Sequence, residues 1–74
     1  MTTAFVLRLV YDHVQRCGTP PTMRELAALL RCSPSTAHVI VHGLMDRGYV
    51  EQAGRVKTIT LTEQALALLD KTSA

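Results

Sequence analysis

The chain has no run of about twenty consecutive apolar residues, so its sequence holds no membrane span. Its first residues lack a basic stretch ahead of an apolar one, so no secretory signal is read and a cytoplasmic setting is expected. Cysteine is scarce. Cys17 and Cys32 are the only two, and they show no Cys-x-x-Cys spacing. Without export they are expected to be small buried or half-buried thiols, neither a disulfide nor a zinc site, which needs about four ligands. Also missing are a glycine-rich phosphate loop, a carboxylate pair and a nucleophile beside a base. Neither an enzyme nor a cofactor is therefore expected. There is no repeat, linker or low-complexity segment, and 74 residues permit one small domain, 1–74, with no second core. Stability in so small a domain is expected to be marginal, and dimerisation would add to it.

What the chain does contain is a series of helix signals. Val6, Leu9, Val10, His13, Val14 and Cys17 recur at helical spacing, which predicts a helix over 3–17 with those residues inward. Phe5, Leu7 and Tyr11 widen its apolar surface beyond that stripe, either as core contact or as a partner surface. Gly18 is placed to end the helix in a left-handed conformation, with Pro20 and Pro21 after it. Thr22 and Glu25 have capping-box spacing, so a second helix is expected over 23–30, with Leu26, Ala27 and Leu30 inward and Arg24, Ala28 and Arg31 outward. Ser33 followed by Pro34 opens a third helix that runs to about Arg47, with Gly48 closing it. Ala37, Ile40, Val41 and Leu44 form its buried stripe, bordered by Met45.

Tyr49 to Ala53 and Val56 to Leu61 read as two strands with Gly54 at their turn. Thr62 then caps a last helix from Glu63 to about Asp70, with Ala65, Leu66 and Leu69 on one face. Two short helices joined by a tight turn and followed by a strand pair define the expected class. It is mainly α with a small β-hairpin: a winged helix-turn-helix of three core helices, a wing and a C-terminal helix.

In such an arrangement the third helix enters the major groove amino end first. Its outward face carries Ser35, Thr36, His38, Val39, His42 and Gly43, with Ser33 at the start. Hydroxyls can bond to base edges or phosphates, and the free amides of the helix start favour phosphate oxygens. Val39 and the Thr36 methyl can pack on a thymine methyl. The net charge of +2 is too mild to name a partner, but its placement is informative. Arg55 and Lys57 flank the hairpin turn, where they can pair with phosphates, and Arg24 can reach a flanking phosphate. Asp46 and Glu51 lie between these groups. The expected DNA-binding set is therefore Ser33, Ser35, Thr36, His38, Val39, His42, Arg24, Arg55 and Lys57. No Arg, Asn or Gln lies in the first three turns of the groove-facing surface, so each base contact is expected to be weak and one copy only modestly specific.

Gly18, Pro20-Pro21-Thr22, Glu25-Leu26-Ala27, Leu30, Ser33-Pro34, Leu44, Gly48 and Val50 before Glu51 together resemble the DNA-binding domain of the LexA repressor family. Leu9-Val10 and Asp12-His13 fit the same resemblance, which covers about Leu9 to Thr62. Pro-Pro-Thr before a Glu-Leu-Ala helix is its most specific part. The close from Lys57 to Thr62 is similar to that of winged helices in general. The resemblance implies a small repressor-like regulator that binds double-stranded operator DNA, usually as a homodimer, with the first turns of the third helix reading bases. The chain departs from the family pattern at His38 and Val39, where an acidic pair is usual, and at Ser35, where an Asn is usual. A different target sequence follows. The family's self-cleaving protease domain has no counterpart in these residues, so the resemblance implies no peptidase activity.

Two rival readings stand beside this one. A winged helix used for protein contact would keep the core and lose the basic wing; Arg55 and Lys57 argue against it, Phe5 and Leu7 for it. A metal-sensing regulator would use His38 and His42, four residues apart, but ligands there would compete with DNA.

Overall fold

Thr2 opens the first helix with its hydroxyl, which accepts from the Phe5 amide at 3.1 Å. From there a computed structural model describes residues 2–55 and 58–72. The elements follow as α1 (Thr3–Cys17), α2 (Met23–Leu30), α3 (Pro34–Asp46), β1 (Val50–Ala53), β2 (Thr58–Leu61) and α4 (Glu63–Thr72). The expected class, mainly helical with one antiparallel hairpin, is the observed one. Val56 and Lys57, which the sequence places in the second strand and the wing, lie outside the described residues. No helix among the described residues is long and apolar enough to cross a membrane.

Each helix boundary has a local cause. α1 ends at Gly18, in the left-handed region at φ 76°, with its N–H donating to the Val14 carbonyl. Both halves of the α2 capping box form: the Glu25 amide donates to Thr22 Oγ1 at 3.2 Å, and the Thr22 amide donates to Glu25 Oε1 at 3.1 Å. In α3 the Ser33 hydroxyl caps the Thr36 amide at 3.2 Å and Pro34 occupies the first turn, where its missing N–H costs nothing. At the other end, Gly48 N–H donates to the Met45 carbonyl and Tyr49 N–H to the Leu44 carbonyl, a Schellman closure with Gly48 at φ 80°. Tyr49 therefore belongs to the helix end, and β1 begins one residue later than the β-propensity of Tyr49 predicts.

The hairpin pairs Val50 with Leu61, Glu51 with Thr60, Gln52 with Ile59 and Ala53 with Thr58. Alternation turns Val50 and Ile59 into the core, while Glu51 faces solvent. The hairpin is tied to the helices at two points. Ile59 N–H donates to the Pro21 carbonyl at 2.8 Å, and Thr62 N–H donates to the Tyr49 carbonyl at 3.0 Å. The Thr62 hydroxyl donates to the Gly48 carbonyl and accepts from the Ala65 amide, so it caps α4 and locks the exit of α3 together.

The core joins Val6, Leu7 and Val10 of α1, Leu26 and Leu30 of α2, Val41 and Leu44 of α3, Val50 and Ile59 of the hairpin, and Ala65 and Leu69 of α4. Leu7 settles one open alternative. It is fully buried and serves the core, while Phe5 and Tyr11, also beyond the stripe, stay exposed. The reason is that α1 packs against α2 on one side and against β2 and α4 on the other, so its buried surface is wider than one stripe. Burial of a leucine of this kind contributes roughly 2 kcal/mol of transfer free energy. Five further residues sit farther out than their spacing indicates, and two of them, Leu9 and Val14 on the α1 stripe, are half-buried. Cys17, in the last turn of α1, is exposed, whereas Cys32 is half-buried and both are free thiols. Leu66 is 45% exposed, because α4 buries only the narrow line of Ala65 and Leu69. Ile40 is half-buried at the margin of the core.

Candidate nucleic-acid interface

α3 packs against α2 and β1, and its remaining face is open. Ala37, Val41 and Leu44 are buried on the inner side, while Ser35, Thr36, His38, Val39, His42 and Gly43 are all exposed. Val39 is 72% exposed, the most open of the large apolar side chains among the described residues. A β-branched residue left that far in water on a well-packed helix contributes nothing to the core. It offers a methyl-lined contact to whatever approaches this face.

Two pairs within the face interact. Ser33 Oγ and Thr36 Oγ1 lie 3.1 Å apart, and Ser33 Oγ also takes the Thr36 amide. Ser33 is therefore largely committed to capping, while Thr36 keeps a free lone pair and its methyl. His38 and His42, one turn apart, place their ring centroids 4.2 Å from each other with the planes tilted by 54°. Together they form a contiguous imidazole surface along two turns. Among the described residues no three His, Cys, Asp or Glu side chains gather as metal ligands, so the histidine pair stands alone in that respect.

The basic residues of the expected set lie on other elements. Arg24 is exposed in the first turn of α2 and Arg55 is exposed at the hairpin tip, next to Gly54 at φ 77°. Lys57 lies outside the described residues. The acidic groups stand away from the amino end of α3. Asp46 is exposed at its last residue and Glu51 on the outer side of β1. The first turn of α3 contains no acid at all, so its positive dipole end is not neutralised, although Pro34 has no N–H and the Thr36 amide is taken by Ser33 Oγ.

A supporting contact behind the face has no counterpart in the sequence signals. His13 of α1 is buried among apolar neighbours, as its spacing indicates, but its ring spans two partners. Nδ1 donates to the Thr19 carbonyl at 3.0 Å, and Nε2 lies 3.3 Å from Glu25 Oε2. The carboxyl of Glu25 is held below its ordinary pKa, chiefly by the Thr22 backbone N–H, with the Thr22 hydroxyl and His13 adding to it. One carboxylate thus closes the α2 cap and ties α2 to α1.

Arg31 is the second feature that periodicity does not reveal. It follows α2 at φ 56° and ψ 44°, the left-handed region, where a side chain bearing Cβ costs roughly 1–2 kcal/mol. Among the described residues it is the only one other than glycine with positive φ.

Two helices set across a tight turn, the second presenting an open polar face, with a β-hairpin behind it, define a helix-turn-helix with a wing. Residues 9–54, more than half of the chain, match the IclR helix-turn-helix domain, and the chain belongs to that family. It is also 42% identical over 65 residues to a protein named LexA repressor from Citrifermentans bemidjiense, covering 84% of this chain and 32% of that protein. A LexA repressor of Geobacter sp. strain M21 is 42% identical over 62 residues, 80% of this chain and 30% of the relative. One from Desulfatibacillum aliphaticivorans is 42% identical over 59 residues, 77% and 27% respectively. The chain thus spans about a third or less of the length of these curated relatives, and the likeness to LexA read from Pro20-Pro21-Thr22 and Glu25-Leu26-Ala27 is borne out.

Proposed function

We propose that this domain binds double-stranded DNA with sequence selectivity and acts as a transcriptional regulator of repressor type. The amino-terminal two turns of α3 enter the major groove, and the wing lies over the backbone or minor groove. One observation carries the reading: the whole outer side of α3, from Ser35 through Gly43, is open and free of acids at its start, while its inner side is sealed into the core. The family to which the chain belongs and the repressor relatives support it.

In this reading Thr36, His38 and Val39 touch base edges, with Ser35 and His42 at the margins and Ser33 at the helix start. Arg24, Arg55 and Lys57 hold phosphates. The domain binds and does not catalyse, needs no cofactor, and works in the cytoplasm, where its operator is accessible. A two-fold homodimer supplies the specificity that one weakly reading helix lacks. The partly exposed Tyr11 of α1 and Leu66 of α4, which line one groove, support a contact between copies.

Selection from a random duplex library, followed by gel shift of the enriched sites at low and raised salt, tests the proposal. Enrichment of a defined motif with salt-sensitive binding is the expected result. For a dimer the motif is a near-palindrome with half-sites about 34 Å apart or a multiple of that. Absent or salt-insensitive binding would return the domain to protein contact. Sedimentation of a monomer on one asymmetric site would remove the dimer alone.

A further inference from the structure

Three helices of this chain end in a left-handed residue, and they do so by similar hydrogen bonds. After α1 and α3 the residue is Gly18 and Gly48, at φ 76° and 80°. After α2 it is Arg31, at φ 56°. The bonds at Arg31 repeat those at Gly48. Arg31 N–H donates to the Ala28 carbonyl at 3.2 Å and Cys32 N–H to the Ala27 carbonyl at 3.0 Å, as Gly48 does to Met45 and Tyr49 to Leu44. The position is therefore one that glycine satisfies without strain, and the chain uses glycine at its other two.

Nothing within the folded chain accounts for the arginine. Its side chain is exposed and makes no hydrogen bond or ion pair among the described residues. By contrast Arg47, also exposed, donates to Thr3 Oγ1. Backbone strain that the fold does not use points to an external partner. The position of Arg31 indicates which one. It lies two residues before the Ser33 cap, in the turn between α2 and α3, beside the acid-free amino end of α3. A guanidinium is charged at every accessible pH and its planar fork matches the oxygens of a phosphate.

We propose that Arg31 is a phosphate-binding residue. Its guanidinium grips the backbone of the duplex next to the entry point of α3 and sets the depth and register of that helix in the groove. The inference rests on the DNA-binding reading above and adds a residue to it. It also predicts a trade between stability and affinity at one position, which a merely tolerated surface arginine would not produce.

The test compares the intact chain with Arg31→Gly and Arg31→Lys, by thermal unfolding and by binding to a selected site and to two unrelated duplexes over a salt series. Arg31→Gly is expected to raise Tm by about 4 °C. It should also weaken binding to all three duplexes alike, roughly fivefold at moderate salt, and lower the log–log salt slope by about 0.9. Arg31→Lys keeps the charge and the strain, so Tm stays put and the slope is retained. A glycine variant that gains stability yet binds with unchanged affinity and slope would overturn the role of Arg31 and leave the DNA reading intact. A glycine variant that loses stability would overturn the premise of strain. Failure of the unaltered chain to bind any duplex would remove the parent reading, and this inference with it.

Discussion

Nε2 of His13 lies 3.3 Å from Oε2 of Glu25, joining the buried middle of α1 to the first turn of α2. The other ring nitrogen is already engaged by the Thr19 carbonyl, at 3.0 Å. The imidazole therefore clasps both ends of the segment from Thr19 to Glu25, which contains Pro20, Pro21 and the α2 cap. The Pro21 carbonyl at the centre of that segment accepts from Ile59 of the wing. Through these contacts one histidine and one carboxylate link α1, the α2 cap and, by way of Pro21, the hairpin.

Glu25 makes acid stability testable. Its carboxyl binds a proton less readily in the folded chain than its ordinary value of 4.5 implies, so its contribution is complete above that pH and is lost as pH falls through the lower folded value. Urea denaturation of the unaltered chain and of Glu25→Gln from pH 7 to pH 3 measures this. The gap in stability is expected to be widest at neutral pH and to narrow below about 4.5. A gap that stays constant across the range would show that ionisation of Glu25 is irrelevant to the fold.

Gly43 lies in the interior of α3 on its open side, and a Cβ built there meets nothing within 4 Å. Packing gives no reason for a glycine. Gly43→Ala is expected to stabilise the domain by about 0.5–1 kcal/mol through helix propensity alone, read as a raised urea midpoint. Duplex affinity is expected to fall, since the added methyl thickens the face proposed to enter the groove. Unchanged affinity would place Gly43 beyond the edge of the duplex.

Thr36 and His38 are proposed to touch base edges. Either Thr36→Ala or His38→Ala is expected to change sequence preference at one or two positions, at about 1 kcal/mol each, because such contacts are weaker than a bidentate pair. The Ser33 hydroxyl still caps the amide of residue 36 in the alanine variant, so the helix start survives the change. Binding measured on a panel of single-base variants of the selected site separates the outcomes. A uniform loss across the panel would rule out base contact.

The wing is expected to behave differently. Arg55, exposed at the hairpin tip, and Lys57 hold phosphates in this account. Arg55→Ala and Lys57→Ala should each weaken all duplexes alike and lower the salt slope by about 0.9. An unchanged slope for either variant would mean that the side chain touches no phosphate.

Most of the fold is legible in the chain because its boundaries are local events. Gly18, the Thr22–Glu25 box, Ser33-Pro34 and Gly48 each act within one helical turn, and a turn's worth of sequence is enough to find them. The open side of α3 is legible for a related reason. A helix with Ala37, Val41 and Leu44 on one side must show Ser35, Thr36, His38 and Val39 on the other. Where spacing misleads or leaves alternatives open, the cause is a neighbour it cannot contain. Leu7 is buried because α4 and β2 cover a second side of α1, and Leu66 is exposed because α4 meets the body along only one line.

Local propensity and hydrophobic period thus determined the order of elements, the winged class and the side of α3 that faces outward, since all three depend on residues within a few positions of each other. Only the packed structure decided that Glu25 serves α1 as well as its own cap, and that Leu7 belongs to the core. It also showed that Arg31 stands in a glycine's conformation. These features arise from contacts between segments distant in the chain, or from backbone angles that side-chain patterns do not encode.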